Sequence, residues 1–206
     1  MTIVLLVEGD TERALKDHLK AFLDRRADAE GKPRVRLETR PEVAHTTGRF
    51  RNRVRLELAR PGITAVVALI DVFPNYADAG AAKADLLEKA GSAAGFHAHA
   101  AQYDVEAWLL PFWGDICRRV GVTQTAPGNN PEQVDQNTPP SYRLKELYRL
   151  AKPKPRRYVK TTEMYAILRN KDLRTIAGQC AEFKVFINTL LTLSELTPLQ
   201  IGRAHV

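Results

Sequence analysis

The chain has 206 residues, of which 44% are hydrophobic, with a formal net charge of +7 and a pI near 9.5. That size suits one α/β domain with a small helical appendage. Its apolar runs are far too short to cross a bilayer and its start reads as a strand rather than a signal peptide, so the expectation is a cytoplasmic protein without a membrane role.

Residues 2–7, Thr-Ile-Val-Leu-Leu-Val, form an unbroken apolar run of the kind that a strand buried on both faces requires. Glu8-Gly9-Asp10-Thr11-Glu12 follows, and then an amphipathic helix with Leu15, Leu19, Phe22 and Leu23 on one face. Gly9 permits a tight turn, and Asp10 or Thr11 can cap the helix. Glu12 stands four residues after Glu8, on the first helical turn, where it can share a cleft with Glu8 or simply complement the helix dipole. Residues 34–38 alternate as an edge strand does, with Val35 and Leu37 on one side. Phe50, Val54 and Leu58 recur at helical spacing. Residues 64–70 are a second buried strand, ending on Asp71. An alanine-rich helix is predicted over 78–94, then a strand over 96–103 with His97 and His99 opposite Phe96, Ala98 and Ala100. It runs into Asp104-Val105-Glu106 and a helix carrying Trp108, Leu109, Phe112 and Cys117.

The predicted order β-α-β-α-β-α-β-α implies a mostly parallel four-stranded sheet with helices on both faces. Three strands deliver acids at their C-terminal ends: Glu8, Asp71, and Asp104 with Glu106. Open parallel sheets place their ligands at that edge. Beyond it, residues 121–140 are a long loop rich in Pro, Gly, Asn and Gln. Ser141 can cap a helix holding Leu144, Leu147 and Tyr148, and a basic, proline-broken connector leads to Lys160 and two or three further helices. The division expected is a metal-binding domain over 1–120, a loop and C-terminal helical extension over 121–200, and a tail over 201–206. That tail resembles a translated adapter read and is expected to be non-native.

Clustered carboxylates repel unless a cation or a proton neutralises them. With only oxygen donors the fitting ion is Mg²⁺ or Mn²⁺, and such sites act mainly on phosphates, where a lysine such as Lys160 can offset charge in the transition state. A P-loop and a G-x-S-x-G elbow are both missing. The spacing of His45, His97 and His99 is not that of a zinc site. Cys117 and Cys180 make neither a metal motif nor a disulfide framework and are expected to be buried thiols. Basic residues concentrate at Arg49, Arg51, Arg53, Arg55 and Arg60, and again at Lys152, Lys154, Arg156, Arg157 and Lys160. Either cluster suits a phosphate backbone, a solvated basic face or an acidic protein partner.

Taken together, V-E-G-D-T-E (7–12), L-I-D-V-F-P (69–74), Y-D-V-E-A-W-L-L-P (103–111), P-P-S-Y-R-L-K-E-L (139–147), Y-V-K (158–160) and C-A-E-F-K-x-F-I-N-T-L (180–190) resemble a bacterial group of the TOPRIM (topoisomerase–primase) superfamily. The resemblance implies a Rossmann-like sheet with Glu8 as a metal-binding glutamate. It implies that Glu12 matches the second acid of the overcoming-lysogenization-defect nucleases, and that Asp71 is the first aspartate of a D-x-D motif whose second position is Phe73 here. By the same resemblance Glu106 is the later acid, Asp104 compensates for the missing one, and Lys160 is the nuclease lysine. The implied activity is that of a Mg²⁺- or Mn²⁺-dependent endonuclease for DNA or RNA, including tRNA. The implied setting is an antiviral-defence effector complexed with an ATPase of the ABC or structural-maintenance type. Its metal set would be Glu8, Glu12, Asp71, Asp104 and Glu106, its catalytic set Glu8, Asp71, Glu106 and Lys160, and its nucleic-acid contacts Arg49, Arg51, Arg53, Lys152, Lys154, Arg156 and Arg157. The alternative is a catalytically weak TOPRIM fold serving as an interaction subunit of an ATPase complex.

Overall fold

A computed structural model describes residues 1–41, 47–91, 93–133 and 138–200, with the side chains of residues 10–13 left aside. His45, the side chain of Glu12 and the 201–206 tail therefore lie outside the described residues.

Four strands form one all-parallel sheet in the order β2-β1-β3-β4. They are β1 (Thr2–Val7), β2 (Arg36–Pro41), β3 (Ile63–Asp71) and β4 (Phe96–Ala101). The two most apolar strands, β1 and β3, take the centre, where both faces are covered. β2, in which only Leu37 is buried, takes an edge. Strand alternation then divides the core in two. Ile3, Leu5, Val7, Val67 and Leu69 point into one cluster, and Val4, Leu6, Val66, Ala68 and Ile70 into the other.

The second cluster is closed by α2 (Thr47–Leu58) and α3 (Ala79–Ala90) through Phe50, Val54, Ala82 and Leu86. The first is covered by α1 (Asp10–Glu30), a 3₁₀ helix (Val105–Phe112), α4 (Trp113–Val120), α5 (Pro140–Arg149), α6 (Lys160–Leu168), α7 (Leu173–Gln179) and α8 (Ala181–Leu193). Helices thus lie on both faces, and the C-terminal helices share one core with the sheet. No described helix is long and apolar enough to cross a membrane. Both cysteines are buried thiols.

Local differences from the sequence reading have physical causes. Asp78 caps α3, its carboxylate accepting from the Ala81 N–H at 2.8 Å, so that helix starts at Ala79; it stops at Gly91, which takes the left-handed conformation. The segment after Asp104 forms a tight 3₁₀ helix ahead of α4, since Pro111 removes a donor from within it. Gly121, with φ of 72°, ends α4 and admits the Lys152 carbonyl so closely that an added Cβ would stand 3.0 Å from it.

Part of the long loop is anchored from within. Glu132 is buried, and its carboxylate accepts from the Trp108 indole N–H at 3.0 Å and from the Glu182 and Phe183 N–H groups at 3.0 and 3.3 Å. It caps α8 from a distant point in the chain, and burial raises its pKa despite those donors. Glu132→Ala leaves three donors without their acceptor and is expected to cost about 2–4 kcal/mol, read as a lower urea midpoint at unchanged slope. An unmoved midpoint would show that water replaces the carboxylate without loss.

Candidate functional site

β3 and β4 end side by side, with Asp71 in register with Ala101. The chain leaving β4 turns at Tyr103, whose φ is 66°, and the Tyr103 carbonyl accepts from the Phe73 N–H at 2.7 Å. A β-strand exit locked to the neighbouring strand in this way sends Asp104 and Glu106 back across the sheet edge. Asp71 reinforces the turn, because its Oδ1 accepts the Val105 N–H at 2.9 Å. Asp71 follows the alternation of Val67 and Leu69, so it belongs to the face covered by α1, the 3₁₀ helix and α6.

Asp104 and Glu106 are buried, Glu106 completely. The Ser141 N–H, in the first turn of α5, donates to Asp104 Oδ2 at 3.1 Å. The sequence assigned Ser141 a capping role. Pro139 takes the N-cap position instead, and Ser141 spends its N–H on Asp104. Lys160, the first residue of α6, puts Nζ 3.0 Å from Glu106 Oε1. Its side chain is 40% exposed, whereas that of Glu106 is 0% exposed. Asp104 Oδ1 and Glu106 Oε2 are buried without a hydrogen-bond partner; Glu106 Oε1 also lacks one of good geometry, so its contact with Lys160 is a charge contact.

These positions shape the protonation of the site. Burial, and next the charge of Asp104, push Glu106 up to about 7, with Lys160 pulling the other way. Burial likewise raises Asp104 against the donors from Ser141. Burial alone would lower Lys160, but the charges of Glu106, Asp71 and Asp104 together outweigh that loss of solvent and hold it above its ordinary value. Two carboxylates held this way resist being charged together, and a cation or a proton relieves them.

Tyr158 closes the inner wall. Its hydroxyl is buried without a hydrogen-bond partner, and burial followed by the Glu106 charge raises its pKa. Its ring meets Tyr148 edge to face at 5.2 Å, and the Tyr148 hydroxyl donates to Glu163 at 2.6 Å. Glu163 also takes the Arg119 Nε–H at 2.8 Å. The only sequence signal for Tyr158 was its place in the Y-V-K stretch.

The structure therefore brings Asp71, Asp104, Glu106 and Lys160 together. Glu8 stands just past β1 at the same sheet edge. It continues the alternation of Val4 and Leu6, toward the α2–α3 face, and its charge acts on Tyr76. Burial first, then the bond to Asp85 at 2.5 Å, raises the Tyr76 pKa, with Glu8 adding to the effect. Among the described residues no group of three or more His, Cys, Asp and Glu side chains is arranged to hold a metal ion. His99 is buried, packs edge to face on Phe186 at 5.4 Å, and is lowered to about 4, chiefly by burial.

The basic clusters part company. Glu57 holds Arg60 at 2.5 Å and Arg53 at 3.5 Å, and Glu38 holds Arg40 and Arg60 at 2.6 and 3.1 Å. That half of the first cluster braces the sheet edge at β2. Arg49 and Arg51 remain exposed, as do Lys152, Lys154, Arg156 and Arg157 in the connector. The connector is pinned by backbone bonds, Lys152 N–H to Val120 at 2.8 Å and Arg156 N–H to Tyr148 at 2.9 Å, which lead the chain to Tyr158 and Lys160.

A family model described as "Domain of unknown function (DUF4276)" matches residues 7–191, which include every residue of this cluster. No curated protein and no solved structure matches the chain.

Proposed function

The chain belongs to the DUF4276 family, and from the chemistry at its sheet edge we propose that it is a Mg²⁺- or Mn²⁺-dependent phosphodiesterase that cleaves nucleic acid. The observation that carries this reading is the convergence of Asp71, Asp104, Glu106 and Lys160, with two buried carboxylate oxygens left without a partner. Oxygens of that kind fit a hard cation, since Lys160 is one positive charge against two buried carboxylates and leaves these oxygens without a hydrogen bond. Asp104 and Glu106 are the residues that would hold it, with Asp71 beside them, bonded to the Val105 N–H between the two. A bound divalent ion supplies polarisation of a phosphoryl oxygen and an acidified water. The residues themselves do the rest. Ser141 and Val105 orient two of the carboxylates through their N–H groups, and Lys160 supplies a mobile positive charge for the phosphate under attack. The net positive charge and the exposed connector favour a polyanionic substrate. The TOPRIM-like stretches agree with this reading, and the proposed setting is an antiviral effector paired with an ATPase.

Incubating the protein with single-stranded and duplex DNA and with tRNA, plus Mg²⁺, Mn²⁺ or EDTA, tests the proposal. Metal-dependent fragments that vanish in EDTA are expected. Intact substrates under all conditions, in the presence of the ATPase partner as well as alone, would defeat it.

A second reading has its own support. Phe73 stands at the second motif position and is 39% exposed, and Lys160, 3.0 Å from Glu106 Oε1, already supplies that acid with a positive charge. Both favour a TOPRIM-like interaction subunit in which the ion pair fixes the fold.

A further inference from the structure

α1 and α6 lie side by side, and α6 starts at Lys160 of the acid cluster. Tyr165 comes five residues after Lys160, about 7.5 Å along the helix axis. There the two helices, with the turn after α6, border a half-open cavity of about 710 Å³, within the ordinary range for small-molecule sites.

Its lining combines spare positive charge with ring faces. Five cations border it, and three are already engaged: Arg26 with Glu30 at 2.7 Å, Lys171 with Asp115 at 2.5 Å, and Arg174 with Asp172 at 2.6 Å. Two acids, Asp17 and Asp172, also line it; Arg25 and Arg169 are exposed, the charge of Arg25 acts on Asp172, and neither arginine makes a side-chain hydrogen bond among the described residues. Between the helices His18 and Tyr165 set their rings 5.0 Å apart at 46°. Tyr165 is half exposed, at 50%. His18 is half-buried, and burial lowers its pKa against the opposing charge of Asp17. A merely solvated basic face needs neither a cavity nor an aromatic wall.

The geometry points to this α1–α6 pocket as a binding site for a phosphorylated nucleotide unit, its phosphate on Arg25 and Arg169 and its base against Tyr165 and His18. Arginine suits phosphate through its planar fork of donors, and every base offers a face for stacking. Tyr165 follows Lys160 on the same helix, so the nucleotide would belong to a strand that runs along α6 to the acid cluster. That last step rests on the nuclease reading, whereas the chemistry of the pocket does not.

Binding is measured on metal-free protein in EDTA, where nothing is cleaved. The probes are a fluorescein-labelled, 5′-phosphorylated dodecathymidylate and, separately, AMP. The Arg25→Ala/Arg169→Ala double variant changes two exposed side chains, and its unfolding midpoint verifies that it folds. It is expected to bind the oligonucleotide at least tenfold more weakly, with the salt slope reduced by about 1.4 for two lost phosphate contacts. Tyr165→Ala is expected to weaken binding about tenfold without changing that slope. Loss of AMP binding alone supports the pocket and makes its ligand a free nucleotide. Unaltered affinity of the variants for both probes, or no binding of either by the wild type, overturns it. Since no metal is present, failure of cleavage elsewhere leaves this result standing, and failure here leaves the acid cluster to its own test.

Discussion

Glu106→Gln is expected to remove metal-dependent cleavage, by on the order of a thousandfold or more, and at the same time to make the metal-free protein more stable above pH 7. The two effects have one source. Glu106 is fully buried, and its folded-state pKa is pushed from 4.5 to about 7, first by burial and then by Asp104. Below about pH 4.5 the folded and unfolded chains both carry the proton, and the group has no effect on stability. Between 4.5 and about 7 the folded state still holds a proton that the unfolded chain has released, so stability falls as pH rises. The slope is about 1.4 kcal/mol per pH unit, which accumulates to roughly 3 kcal/mol across the window. Above about pH 7 the loss is complete and constant. The raised pKa of Asp104 acts in the same direction. Glutamine keeps the shape without the charge, so its denaturation midpoint should vary much less with pH over this range. Adding Mg²⁺ at pH 8 should stabilise the wild type and leave the variant unchanged. Parallel pH profiles for the two proteins would mean that Glu106 is not the strained group, and a variant that still cleaves would remove it from the active site.

How far the fold and the site were legible in sequence depends on the range of each signal. The sheet was legible because burial on both faces requires an unbroken apolar run, and residues 2–7 and 64–70 have one. The end of β3 was legible for the same reason, since an acid directly after such a run has only the sheet edge to occupy, whereas β4, expected to run to residue 103, stops at Ala101 because the chain turns at Tyr103. Alternation, applied one residue further, also separates Glu8 from Asp71, because they lie on opposite faces of adjacent strands. Contacts across long stretches of chain were not legible. Nothing local to Glu132 announces that it caps α8, and Ser141 resembles an N-cap because hydroxyl residues prefer that position. The connector's charge pointed to a binding surface, but its backbone bonds to Val120 and Tyr148 show that it also positions Tyr158 and Lys160. In the Arg49–Arg60 segment, charge density said little of availability, since Glu38 and Glu57 take up part of it. The α1–α6 pocket escaped notice because its lining comes from two helices that composition alone cannot place side by side.

Lys160 distinguishes the two functional readings most sharply. It stands 3.0 Å from Glu106, so it either occupies the carboxylate until a cation and a phosphate displace it, or it remains there as the permanent counter-ion of a buried acid. In both cases Lys160→Ala removes the charge that lowers the Glu106 pKa, which should rise further. The stability lost is limited to about 1–2 kcal/mol at neutral pH, because the side chain is 40% exposed and Glu106 can take up a proton instead. The readings diverge on cleavage and on metal affinity. If Lys160 serves the phosphate, the variant should cleave about a hundredfold more slowly or worse, and it should bind Mg²⁺ as well as the wild type or better, since an obstructing cation has gone. Lys160→Arg keeps the charge in a larger fork and should recover part of the rate. Calorimetry with Mg²⁺, run beside a cleavage assay on the same preparations, separates these effects. A Lys160→Ala protein that loses Mg²⁺ binding together with its fold would make the lysine a brace for the acid pair. One that cleaves at the wild-type rate would leave the transition state to the carboxylates and their cation alone.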